Sequence, residues 1–350
     1  MFENAEKYKN AYDYYGTEPL NLCPQLFNEN THLPIELHDS YRLCMILHDE
    51  MLKLILNGIE NNCFSINIPL NEKLKNDLNK SESHILNWLE KNNFITEKSL
   101  TISLVVLKAT IEDMLLCLYE SLEMARKGKM SLAFILIRKP IQENIFLVED
   151  IILSFEEFSQ KLENNPQKLH GTKFHTGENQ KKMEAYTERT RKVLEETGGE
   201  NLFNPSYIAQ LRYDKSSEDS FDRICNKSMH LFTTAPSIKT EHMNINMVFS
   251  QLPQITTQFH FYFSRSVYLF SYIYHLVSFL GDQICPTSDE YKIHMKNVIG
   301  ALTKMWFSQL SDRYKNTDIE NFAFNMTKQF QNDLSYRDCI EIIKTGKYKQ

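Results

Sequence analysis

The segment KMSLAFILIRKPIQENIFLVEDIILSFEEF, residues 129–158, keeps apolar side chains at helical spacing while holding a proline and several ionisable groups in its interior. Leu132, Leu136, Ile145, Val148 and Ile152 mark a helix largely enclosed by protein. An internal proline removes a backbone hydrogen bond and costs about 3 kcal/mol, so a helix that keeps one bends there. The apolar period continues on both sides of Pro140, and a bent but unbroken helix is the expectation. Charged side chains are seldom enclosed unless paired. That singles out Arg138, Lys139, Glu143, Glu149 and Asp150. At about 100° per residue, Arg138, Gln142 and Glu149 share one narrow stripe, and Lys139, Glu143 and Asp150 share a second. Lys139 and Glu143 suit an i,i+4 ion pair, whereas Arg138 and Glu149 are too far apart to meet. Arg138 and Glu143 are the binding candidates of this helix, as anion clamp and acid/base. The alternative is a salt-bridged solvent edge.

Outward from this segment, Ser99 to Arg126 reads as a strong helix with Leu104, Leu107, Ile111, Leu115, Leu118 and Leu122 as its buried stripe. Arg126-Lys127-Gly128-Lys129 ends it, because glycine accepts the left-handed cap and cations suit a helix C-terminus. The result is a long helical hairpin over about residues 100–160. Upstream, Leu37–Asn61 is amphipathic (Tyr41, Met45, His48, Leu52, Leu56), Cys63–Leu70 suits a short strand, and Ser81–Asn92 suits a helix. Residues 166–206 are polar, with Gly171, Gly177, Gly198 and Gly199 around a charged helix from Glu178 to Glu196. Downstream helices are expected from the serines of residues 214–220 to before Pro236, over Phe259–Leu280, and over about 288–312 and 317–343. The reading is all-α, a multi-helix bundle with three parts. Residues 1–98 form an N-terminal helical region, 99–165 with 207–350 the main bundle, and 166–206 a polar insertion or lid.

Composition narrows the function classes. The chain has 350 residues, 42% apolar and 24% charged, and a formal net charge of −6. That balance argues against a protein that coats nucleic acid non-specifically, though not against a local basic site. Seven scattered cysteines with no CxxC pair fit a reducing compartment and give neither a zinc site nor a disulfide framework. MFENAEKYKN lacks the apolar core of a secretory leader, so a cytoplasmic protein is expected. Phe259–Leu280 is long enough to span a bilayer, but Arg265 and His275 interrupt it, and a core helix with no membrane partner is the expectation. No GxGxxG, Walker loop, HExxH or GxSxG occurs, so no cofactor and no metal is expected. His170, His175 and Glu178 bracket one loop, where solvent-facing histidines are far commoner than ligands.

The other polar constellation is FDRICNKSMHLF, residues 221–232. Helical projection puts Phe221, Ile224, Cys225, Ser228 and Phe232 on one face and Arg223, Asn226, Lys227 and His230 on the other. Arginine, amide and histidine within two turns can grip a phosphate and move a proton. The alternative is the wet side of an amphipathic helix. LAFILIRKPIQENIFLVEDIIL after SLEMARKGK, with CNKSMHLFTTAPSIKTEHMNINMVFS later, resembles a group of bacterial helical proteins with an Arg-Lys-Pro…Glu-Asn helix and an Asn-Lys…His-Leu helix. Both strings are similar to the wider HEPN-like bundles over about residues 100–280. That resemblance implies a metal-independent ribonuclease in a defence or toxin setting, acting on RNA as a homodimer. Arg223 and His230 would be catalytic with Asn226 beside them, and Lys227 would join Arg138 and Glu143 in binding. The residue after the arginine is usually polar in active members and is Ile224 here. A non-enzymatic dimerisation or interaction module and a small-ligand sensor stay open beside it.

Overall fold

The computed structural model describes residues 33–174, 179–246, 252–330 and 334–348. Every regular element among them is helical, as the period of 3.6 demands. Helix α1 (His38–Glu60) buries Leu43, Leu47, Met51 and Ile55, while Leu52 and Leu56 of the expected stripe face solvent. Cys63–Leu70 forms no strand but a turn followed by irregular chain, and no partner strand exists among the described residues to pair with it. Helix α2 (Glu72–Lys80) is capped by Asn71, and α3 (Ile85–Lys91) buries Trp88, whose indole N–H donates to Asp77 at 2.8 Å.

Helix α4 (Ile95–Arg126) and α5 (Met130–Lys139) form the expected hairpin, turning at Gly128 with φ +72°. Ser121 fastens its arms by donating to the Ala133 carbonyl at 2.7 Å. Pro140 does not end the helical path. Residues Pro140–Asn144 make a π-helical turn, closed by Ile145 N–H to the Pro140 carbonyl, and α6 (Ile145–Leu153) follows without a loop. A break that the sequence reading did not expect falls at Ser154. Ser154, extended at φ −169°, stops α6 and caps α7 (Phe155–Asn164) through the Glu157 amide. A side-chain oxygen at a helix start satisfies an otherwise orphan amide, which favours ending one helix and starting another here.

Helices α8 (Asn179–Thr197), α9 (Pro205–Tyr213) and α10 (Phe221–Met229) lead to α11 (Leu252–Ile284), the central helix. Phe259, Tyr262, Phe263, Val267, Phe270, Ile273 and Leu276 of α11 are each 1% exposed or less. Among the described residues, no helix is long and apolar enough to cross a membrane. Helices α12 (Asp289–Gln309), α13 (Thr317–Thr327) and α14 (Tyr336–Thr345) complete the bundle, so the single helix expected over 317–343 is two. One continuous core runs from Leu33 on through Ala323 and includes α1, Val193 and Leu194 of α8, and Phe203. Leu169, Val193, Leu194 and Phe203 of the polar segment over 166–206 contribute to this core, and α1 shares it with the later helices.

Candidate functional site

Of the ionisable groups of residues 129–158, Glu149 and Asp150 are buried, and their partners come from other helices. Glu149 is 1% exposed. Its carboxylate meets the Arg212 guanidinium, accepts from Arg189 Nε at 3.3 Å, and accepts from the Tyr272 hydroxyl at 2.8 Å. Asp150 accepts from Arg189 Nη1 at 2.9 Å and Lys161 Nζ at 3.0 Å. Burial works against the Arg212 charge, but Glu149 and the tyrosines around it hold the guanidinium protonated more firmly than usual. Burial also pushes the Tyr213 hydroxyl far above its ordinary range. Every charge in this knot has a partner of opposite sign. It is an architectural element, and sequence spacing could not reveal it because the partners sit on α7, α8, α9 and α11.

The π turn explains why arginine and tyrosine are needed there. A π turn shifts the hydrogen-bond ladder and frees carbonyls, which in a core require donors. Arg212 Nε donates to the Ile141 carbonyl at 2.6 Å and the Tyr213 hydroxyl donates to the Gln142 carbonyl at 3.0 Å. Lys139 does not pair with Glu143, as expected from i,i+4 spacing, but with Asp113 of α4 at 2.7 Å. Asp113 is the better partner because Asn144 also donates to it, at 2.7 Å, and orients it. Glu143 instead accepts from the Gly171 amide at 2.9 Å and lies 3.2 Å from His170 Nδ1. A Cβ on Gly171 would stand 2.0 Å from the Gln142 carbonyl oxygen, so only glycine lets this loop approach the π turn. Glu143 is therefore a fastening for the loop. His175 and Glu178, the rest of the loop constellation, lie outside the described residues.

The two helices that carry the sequence signatures do pack together. Phe134 meets Phe221 at 6.2 Å between ring centroids, and Arg138 Nη2 lies 3.7 Å from Asp222 while its Nε donates to Gln142 at 3.0 Å. Asn226 does not share a solvent face with Arg223. It is buried and donates to the Asp222 carbonyl at 2.6 Å and carboxylate at 2.7 Å. Asp222 supplies an acceptor on the inner face, which outweighs the polarity that placed Asn226 outside. Arg223 donates to the Ser216 carbonyl at 3.3 Å, Lys227 is half-buried, and His230 lies past the last turn of α10, exposed. Arg138 and Asn226 meet at Asp222; Arg223, Lys227 and His230 do not join them.

A different place has the shape of a site. Ser271, Tyr274, His275, Ser278 and Asp282 form one stripe along α11 and line a cleft of about 500 Å3. The opposite walls come from Lys292, Lys296 and Ile299 of α12, from Asn325 to Gln329 in and after α13, and from the 198–203 loop, with Leu47 of α1 beneath. Close glycine packing sets both walls. A Cβ on Gly199 would stand 2.7 Å from His275 Nε2, and one on Gly300 would stand 2.5 Å from Gln329 Nε2. His275 Nε2 is 2.9 Å from the Thr197 hydroxyl and its ring packs on Phe203. Burial lowers the pKa of His275 and favours the neutral imidazole. Asp282 pairs with Lys292 at 2.9 Å; burial opposes its charge, but Lys292 and Thr287 hold its pKa below the ordinary value. Lys296 and Lys328 are exposed and have no acidic partner among the described residues. Ser271 is 4% exposed and its Oγ has no protein hydrogen-bond partner.

The sequence held a signal for this cleft, in Ser271-x2-Tyr274-His275-x2-Ser278-x3-Asp282 along an otherwise apolar helix. That stripe reads equally as polar residues that neighbouring helices satisfy, and only the packing separates the two meanings. No protein-family model, no curated protein and no solved structure matches the chain.

Proposed function

We propose that this bundle is a small-molecule-binding protein and that its site is the cleft between α11, α12 and α13. The observation that carries this reading is the Ser271 hydroxyl, buried beside a cleft of about 500 Å3 and without a protein partner. An unsatisfied buried polar group costs about 1–3 kcal/mol, and a bound molecule that accepts from it or donates to it removes that cost. Ligand sites span about 300–1,000 Å3 and combine apolar walls with a few polar groups, which is the make-up of this cleft. Asn201, exposed on its lip, gives a direct test. A thermal-shift screen of small metabolites against the wild-type protein should yield ligands that raise the melting temperature by several degrees. Asn201→Trp should keep the fold and abolish those shifts. Ligands that stabilise both proteins equally would remove the cleft from the argument.

A second reading rests on α10. Arg223, Lys227 and His230 have no acidic partner among the described residues, which supports keeping an RNA-directed, HEPN-like role as a proposal. Wild-type protein incubated with total RNA should then cleave it, and His230→Ala should cleave about 100-fold more slowly, as loss of a general acid or base requires. Absence of cleavage, or equal cleavage by the variant, ends this second reading.

A further inference from the structure

We infer that the cleft takes a phosphate monoester of a small, largely apolar molecule, with Lys296, Lys328 and the Ser271 hydroxyl gripping the phosphoryl group. This deepens the cleft reading and rests on it.

The charge of the lining selects the sign of the ligand. Three lysines face one carboxylate there, in a chain whose net charge is −6. Asp282 is already engaged by Lys292 at 2.9 Å and by the Thr287 hydroxyl at 2.9 Å. A cationic ligand would find no free acid among the described lining residues. Lys296, on α12, and Lys328, just past α13, carry no acidic partner among the described residues, so an anion in the cleft would meet two unpaired cations.

The donor set selects the kind of anion. Lys296, Lys328 and Ser271 line the same cleft from three different elements, α12, the turn after α13 and α11. A carboxylate carries one charge and two oxygens in a plane and uses only part of that set. A phosphate monoester carries a charge of about −1.5 to −2 at neutral pH and three acceptor oxygens, which matches two cations and a third donor. The rest of the cleft is not built for an ion alone. Leu47, Leu202, Phe203, Ile299 and Met326 supply apolar walls around a volume of about 500 Å3. They suit an organic body attached to the phosphate. Burial lowers the pKa of His275, so its imidazole adds no positive charge to the cleft at neutral pH.

Phenyl phosphate is the probe, titrated calorimetrically beside phenol, benzoate and inorganic phosphate, on wild-type protein and on the single variants Lys296→Gln, Lys328→Gln and Ser271→Ala. The lysines are exposed, so their neutralisation should leave the thermal unfolding of the free protein unchanged. Phenyl phosphate should bind more tightly than the other three. Each lysine variant should weaken it about tenfold, Ser271→Ala should weaken it several-fold, and added salt should weaken it further. If phenol binds as tightly as phenyl phosphate, or if the lysine variants bind it unchanged, the phosphoryl assignment is overturned while a cleft that binds neutral molecules stands. If inorganic phosphate matches phenyl phosphate, the organic body is overturned. If no probe binds and no screened metabolite distinguishes wild type from Asn201→Trp, the cleft reading falls together with the inference.

Discussion

Glu149 illustrates what a single residue in this bundle does. It is enclosed with Arg212 and Arg189 beside it and the Tyr272 hydroxyl donating to it at 2.8 Å. Enclosed ion pairs contribute little net stability when intact, because desolvation offsets attraction, but removing one member strands the other charge. Glu149→Ala should therefore cost about 3–5 kcal/mol, measured by urea denaturation. A loss below about 1 kcal/mol would mean that the two arginines find other partners or water. Helical projection correctly grouped Glu149 with Arg138 and Gln142, yet Arg138 turned to Asp222 and Glu149 to arginines on other helices. Residue spacing reports the face of a helix and is silent about what that face meets.

Among the elements, the π turn at Pro140–Asn144 best shows sequence and packing acting together. The proline cannot donate, the ladder shifts, and side chains from α9 take up the released carbonyls. Tyr213→Phe removes the hydroxyl donor to Gln142 and leaves a buried carbonyl short of a partner. The expected loss is about 1–3 kcal/mol in chemical denaturation, with the helix content by circular dichroism unchanged. Periodicity across Pro140 made a continuous helical path legible. The break at Ser154 was not, because the apolar period runs through it and a serine signals a cap only when the chain actually turns there. In α10 the same limit misplaced Asn226. A helix of nine residues offers a weak pattern, and the buried acceptor on Asp222 overrode it.

For the whole molecule, the all-α class was legible because every strong apolar period is helical. Hydropathy alone did not show that Arg189, Val193 and Leu194, from the polar stretch 166–206, are buried. The cleft was hard to read because its walls come from five separated stretches of chain, and the polar stripe of α11 alone does not show what faces it. Two half-buried histidines, His260 and His275, give the molecule a pH signature. Burial lowers the pKa of both His260 and His275, so their neutral forms favour the folded state. Their contribution is complete above the unfolded histidine value of about 6.5 and is lost as pH falls below it. Carboxylates such as Asp282, also lowered, act only below about 4. Thermal stability should hold through neutral pH and then decline as pH drops from about 6.5 toward 5. His275→Gln should flatten that decline, and an identical slope in the variant would remove His275 as a cause.

The knot around Glu149 also bears on the order in which the chain finds its fold. Its contacts reach across 40, 63 and 123 residues, to Arg189, Arg212 and Tyr272. Contacts of such separation wait on loop closure, while the α4–α5 hairpin closes locally. In the rate-limiting ensemble Glu149 should still be hydrated and unpaired. Glu149→Gln should then leave the refolding rate nearly unchanged and accelerate unfolding, the kinetic mark of an interaction made after the barrier. Stopped-flow traces that show refolding slowed by the full loss of stability would place the knot in the nucleus instead. On the expected outcome, Glu149 and its arginines act as a latch: they do little to help the chain fold and much to keep it folded.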